Sequence, residues 1–302
     1  SRGLGDVSKR QDDQLRTVDP VTGRTLTSIP ITVVGEIVQG AAGLAKHPIT
    51  GELFAILKLA GQAGRELVKI DPATGVATRI GNTGDNFAGI TFASDGTLYG
   101  VTGDGANVPA TLYILSTTDA SPSLVLALGT EVDCCGESIA FNPVDSLIYH
   151  ASGEPINVFE GIDPATLART PLNILGPDLS YDPQALTHWR DNFFLLQSFR
   201  DLFLVQRLGA DVAIRRFPRS LDHSAKGLVF AGTPPACPPL ADLYGAAHQG
   251  NNGPSLFYAI DPVTAAATLI GPIGFERVSA MDFDAAGVLF ATGERMDGSD
   301  EN

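Results

Sequence analysis

The residues best suited to chemistry are concentrated in 131–141, EVDCCGESIAF, where Cys134 and Cys135 stand side by side among Glu131, Asp133 and Glu137. Adjacent thiols among carboxylates could act as a redox pair, as metal ligands or as a local covalent pin. The chain has 3 cysteines in all and no spaced CxxC pair, so it offers neither a disulfide framework nor a structural zinc site. Neighbouring Cα atoms lie about 3.8 Å apart across a trans peptide. The usual disulfide range is about 4.4–6.8 Å, so a Cys134–Cys135 bridge would be strained, and two free thiols are the alternative. Titrating the denatured, unreduced protein separates them: one free thiol supports the bridge, and three exclude it.

Histidine chemistry is thinner. His47, His150, His188, His223 and His248 are scattered along the chain. Asp222, His223 and Ser224 are consecutive, whereas a nucleophilic triad is assembled from separated segments. No GxSxG elbow occurs, and TGDGAN (102–107) lacks the lysine of a phosphate loop. The histidines are expected on the surface or in structural hydrogen bonds.

The elements that must position these residues follow from the bulk numbers and a repeat. At 302 residues, with 44% hydrophobic and 18% charged residues, the chain can bury a large core. Its 33 glycines and 20 prolines suit many short strands joined by tight turns. The net charge of −14 leaves no basic stripe, which excludes a nucleic-acid surface. No apolar run reaches the roughly 20 residues of a membrane helix. The acidic, lysine-poor composition points to an extracellular or cell-surface protein, and the polar start fits a mature terminus left by processing.

One template recurs: VDPVTGRTLTSIP (18–30), IDPATGVATRIGN (70–82), IDPATLARTPLNILG (162–176) and IDPVTAAATLIGP (260–272). Degenerate copies lie at 112–129 and 202–218. Asp71 and Asp163 are 92 residues apart, two periods of about 46, which is propeller-blade spacing. Each copy follows a second kind of hairpin, at 42–57, 88–102, 137–151, 184–198, 226–247 and 279–292. Short alternating apolar runs argue strand. Paired hairpins predict a six-bladed, all-β propeller with four-stranded antiparallel blades. The 15–30 and 279–292 hairpins would pair to close the ring and remove its open edges. The domain would span 15–292, between polar extensions at 1–14 and 293–302.

The pattern LYxIDPxTGxATxIG, followed by GLAFDPxGxLYG, resembles bacterial secreted and cell-surface propellers with NHL-like repeats, across Leu15 to Thr292. The resemblance implies architecture and is silent on activity, because this fold carries hydrolases, binding modules and scaffolds alike.

On such a fold the loops leading into the innermost strands share one face. Here they carry Glu131, Asp133, Glu137, Asp182, Asp222 and His223, the candidate ligand-binding set. Calcium is the cation an acidic rim would hold, and a solvated surface is the plainer expectation. The residues just before the six inner strands are Ala42, Ala88, Glu137, Gln184, Lys226 and Ser279. One carboxylate facing a lysine is too few hard ligands for a well-held calcium, so no cofactor is expected. Asp19, Asp71, Asp163 and Asp261 recur as turn residues: Asp binds backbone amides, proline fixes φ and glycine takes the positive φ. Cys237, in a turn on the opposite face, is out of reach of Cys134 and Cys135.

Three functions remain open. The first is a non-catalytic extracellular interaction or structural protein, whose partner is another protein or itself, with the termini adding as strands to a neighbour. The second is a metal-dependent, lactonase-like hydrolase on the acidic rim. The third is a carbohydrate or small-ligand module using Tyr181, Trp189 and Phe275, with Trp189 also placed as a core residue.

Overall fold

The computed structural model describes residues 13–18, 24–129, 137–153, 158–176, 182–216, 221–230, 243–247, 255–260, 267–272, 276–283 and 289–294. Every regular element among them is a β-strand, and none is a helix long and apolar enough to cross a membrane. The chain divides into two compact units, Ser1–Pro234 and Pro235–Asn302.

The first unit opens with the hairpin β1 (Gln14–Val18) and β2 (Thr25–Pro30). Next come β3 (Thr32–Val33), β4 (Val38–Lys46), β5 (Leu53–Leu59), β6 (Glu66–Ile70) and β7 (Val76–Asn82), in the sheet order β3-β7-β6-β5-β4. Then β8 (Phe87–Phe92), β9 (Leu98–Thr102), β10 (Thr111–Leu115) and β11 (Pro122–Ala127) make one four-stranded blade. The strands β12 (Glu137–Asn142), β13 (Leu147–Ser152), β14 (Val158–Ile162) and β15 (Arg169–Pro171) make another. Last are β16 (Asn173–Leu175), β17 (Pro183–Arg190), β18 (Phe193–Ser198), β19 (Asp201–Leu208) and β20 (Asp211–Arg216), ordered β16-β20-β19-β18-β17. In the second unit β21 (Leu243–Ala247), β22 (Leu256–Ile260) and β23 (Ala267–Pro272) form an antiparallel three-stranded sheet. There too, β24 (Glu276–Phe283) and β25 (Leu289–Glu294) form a hairpin. The protein is an all-β propeller of antiparallel blades.

Neighbouring sheets in the first unit pack face to face because each strand alternates its apolar side chains. Phe54, Ile56 and Leu67 meet Phe87, Ile90, Leu98 and Leu115. Val101 and Leu112 meet Ile139, Phe141 and Ile148, and Tyr149 and Phe159 meet Phe194, Leu196 and Phe203. Each such buried side chain contributes about 1.5–3 kcal/mol.

Two blades depart from the four antiparallel strands expected. β3 and β16 add a fifth, parallel strand to the outer edge of the sheet that follows them, against β7 and β20. β2 and β15 end at Pro30 and Pro171, where the absent N–H would point away from the inner partner strand, a position proline tolerates on an outer strand. The next residue still bonds backward, Ile31 N to Asp13 O at 2.7 Å and Leu172 N to Phe159 O at 2.9 Å. The one after crosses over, with Thr32 N donating to Gly75 O and Asn173 N to Ala210 O, both at 3.0 Å. Each strap covers an outer edge that would otherwise offer open backbone groups.

A second departure is at 226–230, expected as an inner strand, which belongs to no strand ladder among the described residues. Its backbone bond goes instead to β4: Lys226 O accepts from Gly43 N at 2.7 Å.

Four of the antiparallel blades' last strands, β2, β7, β11 and β23, share a bulge, which β15 and β20 lack. The ladder skips Leu26, Ile80 and Val125 in the first unit and Ile270 in the second. This extra residue twists an edge strand. The Asp-Pro turns are structural, as expected. Asp71 Oδ1 accepts from Ala73 N at 2.9 Å, and Thr74 Oγ1 donates to Asp71 Oδ2 at 2.8 Å. Asp163 repeats both bonds with Ala165 N and Thr166 Oγ1 at 2.8 and 2.7 Å. Asp19 and Asp261 lie outside the described residues.

Gly75 closes the first of these turns at φ +75°, and Leu167 stands at the same place in the second, at φ +61°. A left-handed conformation costs an L-residue about 1–2 kcal/mol. Leu167 is 41% exposed and loses little packing on truncation, so Leu167→Gly is expected to stabilise the protein by about 1 kcal/mol. Urea denaturation at neutral pH checks this, and an unchanged or lower midpoint refutes it.

Candidate functional site

The one carboxylate of the inner ring is not available to a ligand. Glu137 opens β12 opposite Ser152 in β13, and two rungs further on His150 pairs with Glu160 in β14. Because side chains alternate, Glu137, His150 and Glu160 fall on the sheet face that also carries Ile139, Ile148 and Ile162. All three polar residues are buried, with Glu160 at 1% exposure. Their hydrogen bonds run in a row across the blade. Ser152 Oγ donates to Glu137 Oε1 at 2.9 Å, and Glu137 Oε2 bonds His150 Nε2. His150 Nδ1 lies 2.9 Å from Glu160 Oε1. Arg169, on the outermost strand, forks onto Glu160 through Nε at 2.8 Å and a terminal nitrogen at 2.9 Å.

The electrostatics follow from this geometry. Burial alone would depress the His150 pKa, but the two carboxylates outweigh it and push it up to about 9. Burial would raise Glu160, yet the bonds from His150 and Arg169 hold it below the ordinary carboxylate range. His150 is therefore an imidazolium donating from both ring nitrogens. It has no lone pair for a metal and no nitrogen facing a substrate. Glu137, expected on a ligand-binding rim, is buried, and the ladder register brings it to a histidine 13 residues away.

The other expected site residues do not assemble around it. Asp222 is exposed, and its Oδ2 accepts from Thr25 N at 2.9 Å, which keeps its pKa below the usual range. His223 beside it is exposed, and Asp182, half-buried before β17, has an interaction of its own. Among the described residues no group of three His, Cys, Asp or Glu is placed to hold a metal ion. Glu131, Asp133, Cys134, Cys135, Cys237, Tyr181, His248 and Phe275 lie outside the described residues. Trp189, at 2% exposure, is core, as expected.

Glu160, Arg169 and Ser152 escaped the sequence reading. The available signal was a glutamate on the inward face of VFEGI (158–162), one hairpin from an inward histidine in LIYHAS (147–152).

Just beyond the ring of Ala42, Ala88, Glu137, Gln184 and Lys226 the inner segments close on one another. A Cβ on Gly43 would lie 3.1 Å from Ile90 N, one on Gly89 3.2 Å from Glu137 O, and one on Gly227 2.6 Å from Leu44 N. These glycines form a partial collar of direct backbone contact that joins β4 to β8, β8 to β12 and Gly227 to β4. Past it, towards the C-terminal ends of β4, β8, β12 and β17 and residues 228–230, the segments part around a cavity of about 290 Å³. This cavity therefore lies beyond the collar from Glu137.

No protein-family model matches the sequence, and no curated protein matches it. Among solved structures it is similar to the major allergen Mala s 1 of Malassezia sympodialis: 13% identity, 78% of this chain and 77% of that one, TM-score 0.49. It is also similar to the PQQ-bound aldose sugar dehydrogenase of Streptomyces coelicolor: 14% identity, 74% and 81% coverage, TM-score 0.47. A third is the periplasmic gluconolactonase of Pseudomonas aeruginosa: 12% identity, 95% and 86% coverage, TM-score 0.42.

Proposed function

We propose that the protein is a non-catalytic interaction scaffold, a propeller that presents loops on rigid sheets to a protein partner. The observation that supports this is the closed Glu137–His150–Glu160–Arg169 row. It uses the ring's one carboxylate as an internal strut, where a hydrolase would need it as a ligand or base. An extracellular or cell-surface setting, supported by the acidic, lysine-poor composition, and self-association through the polar extensions 1–14 or 293–302 belong to the same proposal.

Two measurements test it. After dialysis against millimolar calcium and desalting, elemental analysis is expected to find well under one calcium per chain. Hydrolysis of a panel of sugar lactones should proceed at the buffer rate. One calcium per chain together with chelator-sensitive lactone hydrolysis would overturn the scaffold in favour of the hydrolase. Light scattering decides self-association: assemblies that dissociate on deleting residues 1–14 support it, and a monomer at all concentrations refutes it.

A further inference from the structure

The outer strands of the first unit repeat one exposed backbone position. The register sets Thr25, Ala77, Pro122 and Arg169 in the same place, opposite Val18, Ile70, Leu115 and Ile162, the last residues of the strands before them. On three of these strands the residue just before it bonds inward: Asp71 N donates to Val76 O at 2.9 Å, and Ser116 N to Ser121 O and Asp163 N to Ala168 O at 3.0 Å. Bonding alternates along an antiparallel pair, so the backbone groups of the next residue face outward from the edge. On β7 that residue is Ala77, and the strap covers it by pairing Thr32 with Val76 and Val33 with Ala77. β15 is three residues long, and so short an edge offers little to an added strand. β2 and β11 have six residues each, no charged side chain, and no strap among the described residues. Leu124 on β11 is 69% exposed. Both strands carry a bulge, but so does the strapped β7, so a bulge alone does not keep an added strand off.

We propose that this first outward N–H is where an added strand takes hold, and that Pro122 on β11 and Asp222 on β2 hold off a strand from a second copy of the chain. Proline has no N–H to give, and its ring stands where the donor would be. On β2 the donor is Thr25 N, and it is already committed: Asp222 Oδ2 accepts from it at 2.9 Å. A second copy is the strand to be held off because it brings the same uncharged edge, and two like edges pair about a two-fold axis. Asp222, expected on a ligand-binding rim, thus serves the edge of a sheet.

Light scattering of the intact protein over a range of concentrations tests this. Pro122→Val puts a strand-forming residue with an N–H at that point. Self-association about tenfold tighter than wild type is expected, because in a two-fold pair the new donor counts twice. Adding Leu124→Lys to it should return association to the wild-type level. Asp222→Ala, which frees Thr25 N, should also tighten association, whereas Asp222→Asn keeps an acceptor and should not. Amide exchange in β11 should slow in the associated Pro122→Val protein. Thermal midpoints show which variants are folded, and the two Asp222 variants carry the test if Pro122→Val is not. Association no tighter than wild type in Pro122→Val, or association that Leu124→Lys does not reverse, would overturn the proposal for β11. Equal behaviour of Asp222→Ala and Asp222→Asn would overturn it for β2. Calcium and lactone assays do not enter this test, so its failure is distinct from failure of the scaffold.

Discussion

Replacing His150 by leucine will destabilise the protein by about 3–5 kcal/mol, the cost of leaving buried charges without their partner. The substitution keeps most of the volume and removes the cation, so Glu137 and Glu160 face each other across β13, with Arg169 able to neutralise only the outer one. The triple variant Glu137→Met, His150→Leu, Glu160→Met should recover most of the loss, since replacing a whole buried ionic set by apolar groups is often neutral or better. A single variant as stable as the wild type would mean that the row is not ionised. The pH dependence tests the same point independently. The folded pKa of His150, about 9, lies above its ordinary value of 6.5, so its contribution is complete below pH 6.5 and is lost as pH rises through 9. The loss is about 3 kcal/mol by alkaline pH. Glu160 has the opposite sign: its pKa is depressed, so its contribution is present above the ordinary carboxylate pKa and is lost as pH falls through the lower, folded one. Urea denaturation between pH 4 and pH 10.5 should give a plateau with a fall on both sides, and His150→Leu should flatten the alkaline fall.

The turns and the alternation of the strands were legible because they are local. Asp71 and Asp163 make their bonds within three residues. The straps were not read because two or three residues carry no periodicity. The Glu137–His150–Glu160 row was invisible for a different reason. Its members lie 13 and 10 residues apart and meet only through a register that shifts with every turn length. A candidate site read from loop position alone therefore took Glu137 as a rim ligand, whereas its ladder partners make it a strut.

Gly227→Ala is expected to cost about 3 kcal/mol, the upper end for forcing extra volume into a packed core. Gly227 has no unusual φ, so contact alone sets the cost; glycine at 89 and 227 marks segments that touch through backbone, and Gly43 adds to that contact a left-handed φ of +65°. The added methyl would lie 2.6 Å from Leu44 N and 2.8 Å from the Gly43 carbonyl carbon. Neither atom can yield without moving the central part of β4. The 2.7 Å bond from Gly43 N to Lys226 O is next to the contact and would be stretched with it. Gly61→Ala is the control. Gly61 has φ +73° and nothing within 4 Å of a built Cβ, so only backbone strain acts there. Its cost should stay near about 1 kcal/mol. Equal effects at the two positions would mean that the inner segments are loosely apposed and the collar is open. A selective loss at Gly227, with amide exchange rising in β4, would mean that the collar separates the Glu137 ring from the cavity beyond it. The two ends of the inner strands would then be separate: one holds the salt-bridged row, the other the cavity.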